Sequence, residues 1–155
     1  LLSAGQDMMR SKNGVNNTYL RGDLNALDYR RQMRFPATHK YFADWIAFRR
    51  SPRGQLLRQW SRPSEGFFKC FRRDGHPGLV AIYNADGSQG AERLLFAVNP
   101  HTDDTTEPIG DYALWDWRLL ADQECFYADG ANPGVRIEPE GVFVPGLGCS
   151  LWISG

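Results

Sequence analysis

The fold class predicted by the sequence is mainly β, with a loop-rich and partly helical N-terminal part. Three observations predict it. From residue 67 onward, apolar residues recur with a period near two in short runs. Gly, Pro, Asp and Asn separate these runs, as antiparallel turns require. Before residue 60 the long periodic segment has helical spacing instead, and it follows a polar stretch without core-forming runs. The chain is therefore expected to divide into a loop-plus-helix region, 1–60, and an antiparallel β domain, 64–155.

In order along the chain, Leu1, Leu2 and Ser3 read as the end of a strand running into a loop. Asn13-Gly14 and Arg21-Gly22 are turn signals, with Gly14 and Gly22 expected at positive φ. Thr38 is the expected N-cap of a helix over 39–50. Phe42, Trp45, Ile46 and Arg49 share one side of that helix, Tyr41 and Phe48 widen it, and Ser51-Pro52 stops it. A short turn follows at 55–59. Strands are expected at 67–72, 79–83, 93–98, 112–119, 124–127, 135–137, 141–144 and 150–153. A polar loop and one amphipathic helix cannot bury their own apolar face, so this region needs another surface.

The 155 residues, 42% hydrophobic and 23% charged, suit one domain and favour an ordinary globular protein over a disordered chain. The formal net charge is zero, and the pairs Arg30-Arg31, Arg49-Arg50 and Arg72-Arg73 are interleaved with acids, so no nucleic-acid partner is expected. No run reaches the length of an apolar membrane span, so no membrane partner is expected. No leader segment is visible, which leaves the location open with the cytoplasm favoured. Cys70, Cys125 and Cys149 lack metal-ligand spacing. They read as buried or partly buried thiols, with one disulfide plus a free thiol as the alternative. His39, His76 and His101 show no zinc spacing, and neither a metal nor a cofactor is expected.

Residues 4–29, AGQDMMRSKNGVNNTYLRGDLNALDY, form the densest concentration of amides, hydroxyls and charges. Asn16, Asn17, Thr18 and Tyr19 place donors and acceptors side by side, and Asp23, Asn25 and Asp28 follow. Such a loop is either a polar surface or the lining of a polar ligand site. Glycoside hydrolysis needs a spaced pair of carboxylates. No spacing among Asp7, Asp23 and Asp28 specifies one, and carboxylates in turns commonly accept backbone hydrogen bonds instead.

The same string resembles the late-barrel segment of the α-amylase superfamily of glycoside hydrolases, above all that of pullulanases and glycogen-debranching-type enzymes. The residues carrying the resemblance are Ala4-Gly5-Gln6-Asp7, Arg10, Ser11-Lys12-Asn13-Gly14, Asn17-Thr18-Tyr19, Asp23, Asn25 and Leu27-Asp28-Tyr29. Asp7 stands where the family pattern has Glu, Thr18 where it has Ser, and Tyr29 where it has Trp. Residues 41–50, YFADWIAFRR, are similar to the last barrel helix. Residues 94–100, LLFAVNP, resemble a central strand of the β-sandwich that follows the barrel, and 141–153 resemble its closing strands.

The resemblance implies the end of a (β/α)8 barrel, namely the loop after strand eight and the final helix, followed by a C-terminal antiparallel β-sandwich. It implies a retaining α-glucan debranching hydrolase acting on α-1,6 linkages in glycogen, pullulan or branched maltodextrin. The family's nucleophile, acid/base and third aspartate lie on earlier barrel strands, so no catalytic residue is carried over to this chain. Active sites of such barrels are assembled from several strand ends, and one βα unit cannot supply both sides of a glycosidic bond. The missing barrel is then the expected partner. Arg10, Asn17, Tyr19, Asp23 and Asn25 are the candidates for glucan contact or for bracing the cleft loop, with Tyr19 suited to stacking on a sugar face. Lys12 either pairs with a carboxylate or points into solvent.

Two other functions are weighed. A non-catalytic carbohydrate-binding β module would use an exposed aromatic face, and Trp115 and Trp117, two apart, would share one. Packing between sheets suits that pair equally and is the favoured reading. Trp45 is expected in the helix core, Trp60 at the junction between helix and sandwich, and Trp152 near the chain end. A protein–protein interaction fragment would instead present an apolar patch at Phe42, Trp45 and Ile46.

Overall fold

The structure is a computed structural model that describes residues 2–127 and 134–155. The chain divides into two compact units, Leu1–Ala47 and Phe48–Gly155. The division falls inside the long helix.

The first unit opens with a 3-10 turn, Gln6–Met8, flanked by Gly5 at φ 84° and Met9 at φ 56°. Helices α1 (Gly22–Asn25) and α2 (Arg31–Arg34) are single turns. Helix α3 (Pro36–Arg50) is the 15-residue element. It begins two residues before the expected cap. Pro36 occupies the first helical position, where its fixed φ is favourable and its missing N–H costs nothing. The Phe35 carbonyl accepts from the His39 N–H at 3.1 Å, so Thr38 lies inside the helix rather than capping it. Gly14 does take positive φ, at 79°, whereas Gly22 starts α1, and the left-handed position falls to Leu20 at φ 59°. Leu2 and Ser3 pair in no strand, and Leu1 lies outside the described residues.

The second unit starts with the rest of α3 and a 3-10 helix, Arg53–Leu57, close to the expected turn. Eight strands follow among the described residues: β1 (Phe68–Phe71), β2 (Leu79–Tyr83), β3 (Arg93–Val98), β4 (Thr105–Glu107), β5 (Arg118–Asp122), β6 (Arg136–Glu138), β7 (Gly141–Val144) and β8 (Cys149–Ser154). Their pairings are antiparallel. One sheet has the order β1-β2-β3-β8-β5 and the other β4-β7-β6. The register is set by alternation: Val80 and Ile82 on β2 face inward beside Leu95 and Ala97 on β3. Leu119 on β5 and Trp152 on β8 continue that layer, and Val142 and Val144 on β7 meet it from the other sheet. The shared core makes this unit a β-sandwich.

A buried amide ties the two sheets at one end. Asn99 Nδ2 donates to the carbonyls of Asp103 (2.8 Å), Pro145 (3.1 Å) and Val144 (3.3 Å), and its Oδ1 accepts from the His101 N–H. The edge of β4 carries a fully buried Glu107, whose carboxylate meets His76 Nδ1 at 2.9 Å, the Thr105 hydroxyl and the Arg73 N–H.

Several expectations are corrected in this unit. The alternation over 112–119 is not one strand. Residues Gly110–Leu114 form a 3-10 helix and pairing begins only at Arg118. The intervening residues fold back: the Trp117 indole N–H donates to the Tyr112 carbonyl at 2.7 Å, and the Trp117 backbone N–H to Trp115 O. Residues 124–127 make one bridge, Ala121↔Phe126, because the Asp122 side chain accepts the N–H groups of Glu124 and Cys125 and closes a turn. Trp60 is not buried at a junction: 93% of its surface is exposed. Cys70 is exposed on the edge strand β1 rather than buried. Cys125 and Cys149 are half-buried, and no disulfide joins the three. Strand β4 was not expected at all, and β6 is displaced by one residue from 135–137.

Among the described residues no helix is long and apolar enough to cross a membrane, and no group of three His, Cys, Asp or Glu is placed to hold a metal ion.

Candidate functional site

The polar stretch folds into a loop braced by its own side chains. Thr18, buried between two turns, lies at its centre. The Thr18 hydroxyl donates to Asn25 Oδ1 at 2.9 Å and accepts from Lys12 Nζ at 2.8 Å. Asn25 Nδ2 returns to the Thr18 carbonyl at 2.7 Å. Arg10 Nη2 reaches the Asn25 carbonyl at 3.0 Å, with the Leu24 carbonyl and Asn25 Oδ1 each at 3.4 Å. Arg31, on α2, donates to the Met8 and Met9 carbonyls. Asp7 Oδ2 sits 2.8 Å from His39 Nδ1, which ties the 3-10 turn to α3. Apart from the buried Arg10 Nε, which has no partner among the described residues, the brace groups satisfy one another, as a fixed loop without regular secondary structure must arrange.

The five candidates therefore separate. Arg10 and Asn25 come together in the brace. Asn17 accepts from the Tyr19 N–H at 3.0 Å and shapes the turn that presents Tyr19. The Tyr19 side chain points outward with 81% of its surface exposed, next to the equally open Leu20. Asp23 is engaged by Arg21 through two parallel bonds of 2.9 and 2.7 Å. Lys12 pairs with a hydroxyl, not with a carboxylate or solvent.

Electrostatics limit what the loop carboxylates can do. The Arg21 fork holds Asp23 below the ordinary carboxylate range. Arg30, bound to Asp28 at 2.8 Å, does the same there. A glycosidase acid needs its proton held more tightly, not less. Ionised and exposed, Asp23 and Asp28 suit accepting hydrogen bonds from hydroxyls.

This unit leaves much apolar surface uncovered. Among its described residues Gly5, Met8 and Thr18 are buried, while Tyr19, Leu20, Tyr29 and Met33 are open. On α3, Phe42 and Trp45 are half-buried and Ile46 is exposed.

The sandwich unit has a concave feature, a groove of about 890 Å³. Trp115, Trp117 and Trp152 line it together with Asp116, Arg118 and Arg136. The Trp115 and Trp117 rings lie nearly parallel, 20° apart, with centroids at 5.9 Å. Trp117 packs against the core as expected, whereas Trp115 lies outside the core cluster. The indole pair was visible in the sequence. Arg118 and Arg136 gave no signal there, since single arginines at strand ends are usually surface charges.

No protein-family profile matches the sequence, and no curated protein matches it. Solved structures do. The catalytic module of the pneumococcal glycogen-degrading virulence factor SpuA aligns with 85% of this chain at a TM-score of 0.67 and 16% identity. Pullulanase SAP of Group B Streptococcus aligns with 85% at 0.63 and 15%. Pullulanase from an Anoxybacillus species aligns with 100% at 0.66 and 17%. The chain spans only about a fifth of those proteins: 20%, 19% and 20% of their respective lengths. The loop, helix and two-sheet sandwich described above are thus a fold that this chain shares with part of each of these pullulanases and of the glycogen-degrading module.

Proposed function

We propose that the chain is the C-terminal part of an α-glucan debranching hydrolase, acting on α-1,6 linkages by a retaining mechanism in the intact enzyme. In that role residues 1–60 complete the catalytic barrel and residues 64–155 form its accessory sandwich. The observation that carries the reading is the fold shared with pullulanases over 85% of the chain or more. A second feature supports it: the loop-and-helix unit braces its polar groups internally yet leaves Tyr19, Leu20, Tyr29 and Met33 open. A segment that finishes a larger barrel has this character, because its apolar face is covered by strands and helices contributed from elsewhere.

Within the cleft, Tyr19 stacks on a glucose ring, and Asp23 accepts from sugar hydroxyls. Arg10, Asn17 and Asn25 hold the loop in the shape that presents them. The chain supplies no acid, base or nucleophile of its own.

The test is the protein encoded by the whole reading frame, assayed on pullulan and on maltotriose-linked branches. It is expected to contain an upstream barrel with the three missing carboxylates and to lose activity when residues 1–155 are removed. Tyr19→Ala is expected to raise KM for branched substrate more than it lowers kcat. An upstream sequence without a barrel, or undiminished pullulan hydrolysis after removal of this segment, would refute the reading.

A further inference from the structure

We infer that the groove on the sandwich unit is a saccharide-binding site, separate from the loop around Tyr19, and that it takes a neutral oligosaccharide of the α-glucan class. The choice of α-glucan rests on the function proposed above; the saccharide chemistry of the groove does not.

Three of the five tryptophans in the chain line this one groove. Core packing accounts for two. Trp152 is buried and its Nε1 donates to the Ser150 hydroxyl, and Trp117 Nε1 is spent on the Tyr112 carbonyl. Trp115 is different. It is half-buried, lies outside the core cluster, and its indole N–H forms no hydrogen bond among the described residues. It is nonetheless held firmly. The Arg93 guanidinium sits 5.0 Å from its ring centre, Tyr112 leans on it at 4.8 Å, and Trp117 lies nearly parallel to it. An aromatic ring fixed at the wall of an open groove, with its donor free, is pre-organised for a ligand at no further ordering cost.

The polar lining has the complementary chemistry. The Asp116 carboxylate and the Arg118 guanidinium make no ion pair or hydrogen bond among the described residues. They flank Trp117 in sequence and line the groove as one free acceptor and one free donor. A sugar offers apolar C–H faces for the indoles and hydroxyls that both donate and accept, so this mixture fits it. The volume lies in the usual range for a small-molecule site, roughly 300–1,000 Å³.

Charge argues against a phosphate or other anion. Of the lining arginines, Arg53 is paired with Glu92 at 2.9 Å and Arg136 with Glu138, while Asp116 adds a negative charge of its own. An anion site gathers unpaired guanidiniums instead.

The experiment is calorimetric and tryptophan-fluorescence titration of the 155-residue chain with maltoheptaose, cellohexaose and inorganic phosphate. The unaltered chain is compared with Trp115→Ala and Arg118→Ala, each verified as folded by circular dichroism. Maltoheptaose is expected to bind. Trp115→Ala is expected to weaken it about tenfold, the scale of one lost aromatic contact. Arg118→Ala, on an exposed side chain, should weaken binding in the same direction without disturbing the fold. Binding that survives both Trp115→Ala and Arg118→Ala, binding of phosphate alone, or no binding at all would overturn the groove as a saccharide site. Binding of cellohexaose without maltoheptaose would overturn the α-glucan assignment and leave the groove's saccharide chemistry standing.

Discussion

Replacing Asn99 should expose how much one buried amide contributes to joining the two sheets. Its Nδ2 has two hydrogens and three carbonyl neighbours, at 2.8, 3.1 and 3.3 Å, and its Oδ1 accepts from the His101 N–H at 3.0 Å. Three full hydrogen bonds can therefore form. At a net contribution of about 1 kcal/mol each, Asn99→Ala should destabilise the sandwich by about 3 kcal/mol. Asn99→Asp tests the direction of the donors. Its carboxylate keeps the acceptor for His101 but turns a charged oxygen towards the carbonyls of Asp103, Val144 and Pro145, in a site with no solvent access. An uncompensated buried charge costs more than a missing hydrogen bond, about 3–5 kcal/mol, so Asn99→Asp should be the worse of the two at neutral pH. Urea unfolding followed by tryptophan fluorescence gives both values, provided the dependence on urea stays unchanged. Losses below about 1 kcal/mol for Asn99→Ala, or a milder effect for Asn99→Asp than for Asn99→Ala, would refute the latch.

Other outcomes follow from single contacts. Ile82→Ala removes a fully buried side chain between β1 and β3 and should cost about 2–5 kcal/mol in the same unfolding measurement. Burial, and then hydrogen bonding with Cys125 and Asp122, push the Tyr127 phenol well above its ordinary value of 10.0. The fold thus retains the phenolic proton longer than the unfolded chain does. The resulting stability is fully present below pH 10 and declines as pH rises beyond it. Tyr127→Phe should flatten the alkaline limb of a stability–pH curve, and an unchanged limb would count against this coupling. At Asp86, hydrogen bonds from Ser64 and Ser88 lower the carboxyl below its ordinary value of 3.8, so its contribution is present above that pH and is lost as pH falls through the depressed value. Asp86→Asn should remove that part of the acid sensitivity. Asn25→Ala should speed amide hydrogen exchange at Thr18 and Tyr19, because it removes both sides of the Thr18–Asn25 brace.

Legibility in the sequence followed the strength of the local pattern. β2, β3 and β7 appear at the expected residues because each carries an uninterrupted run of apolar side chains between turn formers. β4 escaped notice because Thr105 and Glu107 are polar. Their burial is made tolerable by His76 and Arg73, partners about 30 residues away that no local window contains. Residues 112–119 show the converse. Their alternation looked like a strand, but a Trp117-to-Tyr112 hydrogen bond folds the segment back before pairing starts.

The candidate site divides in the same way. The concentration of amides, hydroxyls and charges over residues 4–29 was evident from residue identity, as was the indole pair. Which of those groups brace and which face outward was a matter of three-dimensional satisfaction: Asn25 and Arg10 turn inward because Thr18 and the loop carbonyls need partners, leaving Tyr19 exposed. By itself the sequence determined the strands β2, β3 and β7, the long helix and the polar loop, since periodicity and turn chemistry act over a few residues. Tertiary structure alone decided the pairing order β1-β2-β3-β8-β5, the burial of Glu107, and the groove at Trp115, because each depends on residues distant in the chain meeting in space.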